Sequence, residues 1–182
     1  VVVVVSAMGH TTDHLVKLAN EISETPPSRE LDMLLSTGEG ISIALLAMAL
    51  ETAGCRAVSM NAMQVGIITE NIHSKARIVD IKTDKLQRHL QEGKVVVVAG
   101  FQGVTEDGEI TTLGRGGSDT SAVAEFEQFI AQSCIDVPQN NAIISLQNLL
   151  FQCLLSQFFP HTSYHFIFIP AAFKLMQNIF YR

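Results

Sequence analysis

Five consecutive valines, Val1 to Val5, constrain the fold of this chain more than any other feature. Unbroken β-branched residues favour extended backbone, and a strand with no alternating polar positions must be covered on both faces. That is the composition of an inner strand in a parallel sheet. A second stretch, Lys94 to Ala99 with Val95 to Val98 at its centre, predicts another strand of the same kind. Each stretch empties into small residues: Ser6-Ala7-Met8-Gly9 after the first, Gly100-Phe101-Gln102-Gly103 after the second. Loops at the carboxyl ends of parallel strands are where open α/β sheets bind ligands. Two such ends side by side would form one crevice.

Between the valine strands the pattern alternates. Leu15, Leu18, Ala19 and Ile22 recur at helical spacing and predict a helix from about Thr12 to Ile22, capped by Thr11 or Thr12. Pro26-Pro27 ends the connection. Ser28 reads as an N-cap for a long helix whose apolar positions run from Leu31 to Ala49 and which closes at Gly54. Within it lie Gly38 and Gly40, each costing about 1 kcal/mol relative to alanine. Something other than helix propensity therefore placed them. Glu39, between them, is either a surface charge at a kink or a ligand to an ammonium group.

Short strands are expected at Arg56 to Met60, Ile67 to Thr69 and Ala76 to Ile81, with a loop at Asn61 to Gly66 and His73 solvated in a polar turn. Asp84 to Leu90 reads as a helix ended by Gly93. Asp107-Gly108 marks a tight hairpin turn between Val104 and Ile110. Strands alternating with helices imply a mainly parallel sheet covered on both faces.

The hairpin leads into Thr111-Thr112-Leu113-Gly114-Arg115-Gly116-Gly117-Ser118-Asp119-Thr120. Glycines let successive N–H groups converge on one point, a helix start adds unpaired donors, and Arg115 offers a bidentate fork for a carboxylate or phosphate. The same residues also suit an ordinary helix cap, with Ser118 at the N-cap and Asp119 in the first turn. The glycine motif alone does not choose.

A net charge of −6 without a basic block argues against nucleic acid and against an anionic membrane surface. A hydrophobic share of 47% and a mean hydropathy of +0.27 exclude a disordered polar chain. Cys55, Cys134 and Cys153 are odd in number and lack metal-ligand spacing, so the reading is a reduced, cytoplasmic protein with no metal site of its own. No secretory signal is visible, and no apolar run reads as approaching the roughly 20 residues that span a bilayer. The valine strand at the very start suggests a fragment or a processed product.

Composition shifts after about Ala124. Beyond Asp136 no carboxylate occurs, Lys174 and Arg182 are the only fixed charges, and seven of the ten phenylalanines follow Pro138. Tyr164 to Ile169 predicts a strand. Pro160, Pro170 and the amides interrupt every run, against a membrane hairpin. A shifted reading frame or misassigned exon accounts for the change, and the other frames of the coding DNA test it. The expected division is a partial catalytic domain over 1–124 and an atypical apolar tail over 125–182.

Four motifs together resemble the aspartokinases of the amino-acid-kinase family: Ser6-Ala7-Met8-Gly9-His10-Thr11-Thr12-Asp13, Leu31-Asp32-Met33-Leu34-Leu35-Ser36-Thr37-Gly38-Glu39, Val98-Ala99-Gly100-Phe101-Gln102-Gly103-Val104 and Thr112-Leu113-Gly114-Arg115-Gly116-Gly117-Ser118-Asp119-Thr120. Their order and spacing are more specific than any one of them. The resemblance implies a three-layer αβα sandwich with a mainly parallel sheet. It implies phosphoryl transfer from Mg-ATP to the β-carboxylate of L-aspartate, opening the biosynthesis of lysine, threonine and methionine. It also implies roles. Glu39 would receive the substrate's amino group and Arg115 would hold a carboxylate, with Asp119 beside it in the catalytic site. Thr11, Thr12, Asp13, Gly116, Gly117 and Ser118 would line the substrate. Ser6, Gly9 and Ser118 would meet the phosphates, and Mg2+ would be held mainly through ATP. A homo-oligomer is compatible with this reading.

Departures accompany the resemblance. The family's opening Lys-Phe-Gly-Gly-Thr-Ser loop precedes the first residue here, and its Thr-Asp-Val-Asp-Gly-Val segment is replaced after Ala124. The usual ACT domains do not follow. Gly40 in the helix after Glu39 and Asn61-Ala62-Met63 are smaller deviations. An inactive aspartate-binding fragment or pseudo-kinase, or a kinase acting on glutamate or acetylglutamate, are the alternative readings.

Overall fold

The computed structural model describes residues 1–114 and the strand Phe166–Phe168. Strand β1 is Val2–Val5, and helix α1 is Thr11–Ile22. Helix α2 is Ser28–Thr52, followed by strand β2 at Ala57–Met60, a helical turn α3 at Ala62–Val65 and strand β3 at Ile67–Thr69. Strand β4 is Ile78–Ile81, helix α4 Asp84–Gln91 and strand β5 Val95–Ala99. Strands β6 at Gln102–Val104, β7 at Ile110–Thr112 and β8 at Phe166–Phe168 complete the described elements.

The two valine strands are neighbours. β1 pairs with β5 in parallel, Val2 against Val96 through Val5 against Ala99, and the sheet order is β2-β5-β1-β8 with every pairing parallel. Alternation along β1 explains the unbroken valines. Val3 and Val5 pack with Ile43, Leu46, Ala47 and Leu50 of α2, whereas Val2 and Val4 pack with Val65, Leu86 and Leu90 on the opposite side. Both faces are apolar because both are covered, which gives the three-layer αβα sandwich. Val2, Val3, Val4, Val96, Val97 and Val98 are essentially inaccessible to solvent.

A second sheet, β4-β3-β6-β7, is mixed: β3 pairs with β4 in antiparallel fashion, against the parallel expectation, β6 pairs with β7 antiparallel as the Asp107-Gly108 hairpin predicts, and β3 and β6 run in parallel. The reason is local. β6 and β7 are joined by the Asp107-Gly108 turn, where Gly108 takes a left-handed φ of 87° and its N–H donates to the carbonyl of Thr105. A connection that short permits only antiparallel pairing.

Several boundaries differ from expectation. Neither Thr11 nor Thr12 caps α1; His10 occupies the N-cap without a side-chain capping bond. Ser28 is the first residue of α2, with Pro27 at the N-cap at φ −57° and ψ 127° and no side-chain capping bond. The loop expected at Asn61 to Gly66 contains α3, held by a reciprocal capping box between Asn61 and Gln64. Leu18 and Ile22 are exposed, since α1 packs on α2 and covers only a narrow stripe that includes Ala19. The exit of α2 conforms. Gly54 takes φ 82°, its N–H donates to Glu51, and the Cys55 N–H donates to Leu50. That pair of bonds is the Schellman arrangement that favours glycine.

Helix α2 also corrects the reading of apolar runs. It is long and apolar enough to cross a membrane by length and composition, with a hydropathy of 1.7 over its most apolar 18 residues. Here it serves as a core helix, because Leu35, Ile43, Leu46, Ala47 and Leu50 are buried and most of them pack on the parallel sheet.

Candidate functional site

The site is built around the buried polar stripe of α2. Asp32, Ser36 and Glu39 are spaced four and three residues apart, so they lie on one face of the helix. All three are buried. Each meets a different segment. The Asp32 carboxylate reaches β7 and the turn before β4, the Ser36 carbonyl reaches β6, and Glu39 reaches the loop after β1.

Glu39 stands at the carboxyl end of β1, the position that the sequence predicted for a ligand crevice. It is only 3% exposed, so it is no surface charge. Its Oε1 accepts the Ala7 N–H at 3.1 Å, while Oε2 is buried and has no hydrogen-bond partner among the described residues. A buried carboxylate oxygen without a donor carries a desolvation cost of several kcal/mol when charged, so the acid is pushed toward neutrality. Burial raises the Glu39 carboxyl from 4.5 to about 7, and backbone hydrogen bonds at Glu39 and Ala7 pull it back only partway. Such an acid at a strand end fits a cationic ligand that would restore its charge.

Gly38 explains one of the two helix glycines. A Cβ there would lie 2.9 Å from Cβ of Ala7, with Cγ2 of Thr11 at 3.5 Å and Cδ1 of Leu15 at 3.6 Å. The absent side chain lets the β1–α1 loop settle directly on α2, where Ala7 can bond Glu39. Gly40 has open space around its Cβ position, and nothing in the structure explains it.

The other predicted residues fall as follows. Ser6 and Gly9 lie exposed in the loop after β1, Gly9 with a left-handed φ of 52°. Thr11 and Thr12 are half-buried at the start of α1, and Thr11 sits over Gly38. Asp13 is exposed and pairs with His10 at 3.2 Å on the outer surface. The structure thus brings Glu39, Ala7 and Thr11 together and leaves Asp13 at the rim. Arg115, Gly116, Gly117, Ser118 and Asp119 lie outside the described residues; β7 ends at Thr112, three positions before Arg115.

The sequence reading missed the polar network that fixes α2. Asp32 is fully buried and accepts the Thr112 hydroxyl at 2.6 Å, the Ser74 N–H at 2.9 and 3.1 Å, and shares a 2.9 Å contact with Nδ1 of His73. His73 is therefore a partner of a buried carboxylate and not a solvated turn residue. Gln102, expected in a loop, opens β6; its Nε2 donates to the Ser36 carbonyl at 3.2 Å, and its Oε1 accepts the Ala62 N–H at 3.5 Å. The usable signal was spacing: Asp32 stands two helical turns before Glu39.

Comparison with known proteins now bears on this geometry. Residues 1–137 match the amino acid kinase family, and the chain belongs to that family. Among its relatives, the aspartokinase of Geobacillus stearothermophilus is 63% identical over 134 residues, covering 74% of this chain and 33% of that protein. Among solved structures, the aspartate kinase of Synechocystis is 58% identical with a TM-score of 0.55, covering 68% of this chain and 20% of that one. Aspartokinase III of E. coli, solved in complex with aspartate and ADP, is 27% identical with a TM-score of 0.55, covering 66% of this chain and 28% of that one. The chain spans about a third of the length of the curated relatives it matches.

Proposed function

We propose that this chain carries the aspartate-facing part of an aspartokinase-type site, which transfers the γ-phosphoryl group of Mg-ATP to the β-carboxylate of L-aspartate. In this reading the partial catalytic domain covers 1–124, and 125–182 is a compositionally distinct segment. The observation that carries the reading is Glu39, a buried acid at the end of β1 with one oxygen unpartnered among the described residues. An ammonium group is the natural complement: it supplies donors and positive charge to a carboxylate that burial holds near neutrality. Likeness to aspartokinases, one of them solved with aspartate and ADP, supports the choice of substrates.

In this reading Glu39 takes the amino group, and Arg115 grips the α-carboxylate. Thr11, Thr12 and Asp13 line the approach. One β-carboxylate oxygen attacks the γ-phosphorus as the bond to the β–γ bridging oxygen breaks, giving aspartyl phosphate and ADP. Two anions must approach, so the site has to supply oriented donors and positive charge. Gly116, Gly117 and Ser118 are assigned to the substrate, and Ser6, Gly9 and Ser118 to the phosphates. Asp119 is assigned to the same catalytic site. Mg2+ would be held mainly through ATP and would offset the negative charge of its phosphates, and the early steps of lysine, threonine and methionine formation are the corresponding context.

Hydroxamate trapping of the acyl phosphate tests the reaction. Signal with ATP and aspartate, and none with glutamate, supports it. Aspartate binding by calorimetry without turnover would mark an inactive aspartate-binding fragment, and glutamate-dependent signal would mark a different amino-acid kinase. Arg115→Ala should abolish aspartate binding; unchanged affinity overturns the site assignment.

A further inference from the structure

Aspartate offers an ammonium group and a carboxylate only a few bonds apart, so the elements carrying their partners must be held at a set spacing. Glu39 stands on α2, and Arg115 follows β7 directly. A buried side-chain bond joins those two elements: the Thr112 hydroxyl of β7 donates to Oδ1 of Asp32 on α2 at 2.6 Å, across 80 positions of sequence. Both residues are almost wholly inaccessible to solvent. The bond lies two helical turns from Glu39 along α2 and three residues from Arg115 along the chain.

The surroundings make it rigid. Asp32 is held on its other side by the Ser74 N–H and by His73. The Thr112 carbonyl accepts the Ala76 N–H at 3.0 Å, and the next residue, Leu113, donates its N–H to Phe101 at 2.8 Å. A charged acceptor on a buried hydroxyl makes a short, strong bond that water does not replace. We propose that Asp32 and Thr112 are positioning residues whose bond fixes the spacing between Glu39 and the end of β7, three residues before Arg115, and so sets aspartate affinity. This rests on the reading of Glu39 and Arg115 as the two ends of the aspartate site.

Three variants of the whole chain separate positioning from simple stability. Thr112→Val keeps the shape and removes the donor, Thr112→Ser keeps the donor, and Thr69→Val removes a different buried bond, the 2.6 Å hydroxyl pair between Thr69 of β3 and Thr111 of β7. Aspartate affinity is measured by calorimetry and stability by thermal unfolding. Thr112→Val is expected to weaken aspartate binding about tenfold or more. Thr112→Ser should stay within about twofold of the unsubstituted chain, and Thr69→Val should lower the melting temperature while also leaving affinity within about twofold. Unchanged affinity in Thr112→Val, or equal affinity losses in Thr112→Val and Thr69→Val, overturns the proposal. If the unsubstituted chain binds no aspartate, the functional reading fails, and the bond is judged by hydrogen exchange at the Leu113 amide. Faster exchange in Thr112→Val than in Thr112→Ser supports the tie, and equal rates overturn it.

Discussion

Oε1 of Glu39 accepts the N–H of Ala7 at 3.1 Å, joining the middle of a buried helix to the loop at the end of the first strand. The bond orients one carboxylate oxygen and leaves the other, Oε2, buried without a donor among the described residues. A stable core has little reason to keep such an acid. A site that must receive an ammonium group does.

The first prediction concerns stability. Folding raises the Glu39 carboxyl from 4.5 to about 7, so between those values the folded chain holds a proton that the unfolded chain has lost. Stability is therefore fully present below the unfolded value, declines as pH rises, and levels off above the folded one, a loss on the order of 3 kcal/mol. Glu39→Gln, always neutral, should remove that decline and be more stable than the unsubstituted chain at pH near 8, while losing aspartate binding. Denaturant titrations at pH about 5 and about 8 check the sign. An equal pH dependence in both proteins would contradict it.

The same titration predicts how affinity changes with pH. Only ionised Glu39 complements an ammonium group, and with a carboxyl near 7 that form is the minor one below neutrality. Apparent aspartate affinity should rise about tenfold between roughly pH 6 and pH 8. Below neutrality, binding should release a proton. Calorimetry in buffers of different ionisation enthalpy reads both effects, and a flat profile would argue against Glu39 as the ammonium partner.

Gly38 and Gly40 should respond oppositely to alanine. Gly40→Ala adds a methyl group to open space and gains helix propensity, so stability should rise by up to about 1 kcal/mol. Gly38→Ala sets a methyl 2.9 Å from Cβ of Ala7 and must push the β1–α1 loop away. Its expected cost is about 1–3 kcal/mol, accompanied by weaker aspartate binding as the Ala7–Glu39 bond opens. Thermal unfolding and calorimetry on the two variants decide the matter.

The two faces of the parallel sheet form separate core clusters, one containing Leu46 and the other Leu86. Leu46→Ala and Leu86→Ala should each cost about 2–5 kcal/mol, because both side chains are buried. Their effects should add to within about 0.5 kcal/mol in the double variant. Urea denaturation gives the three values, and strong coupling would show that the layers share one core.

The sandwich was legible because its signals are local. An unbroken valine run reads as a strand with two apolar faces, and the like composition of Val1–Val5 and Val95–Val98 allowed them to lie side by side, as the parallel pairing of β1 and β5 shows. Glycines in a helix likewise announced that something other than propensity placed them, and only the structure showed a close approach at Gly38 and open space at Gly40. The second sheet was less legible: short strands such as Ile67–Thr69 and Ile78–Ile81 carry no direction in their composition, and their antiparallel pairing follows from the turns between them.

Glu39 shows where the sequence stops. Its residues and spacing admitted a surface charge or a ligand, and only burial against β1 and the Ala7 loop excluded the first. Asp32 and His73 are the stronger case. They are 41 positions apart, and a part-buried contact at that separation depends on how α2 lies against the second sheet. Chemical identity and periodicity, which the sequence carries, determined the strands, the helices and the acids available. Which acid lost its water, and which partner reached it, was decided by tertiary packing, because desolvation and hydrogen bonding act through space and not along the chain.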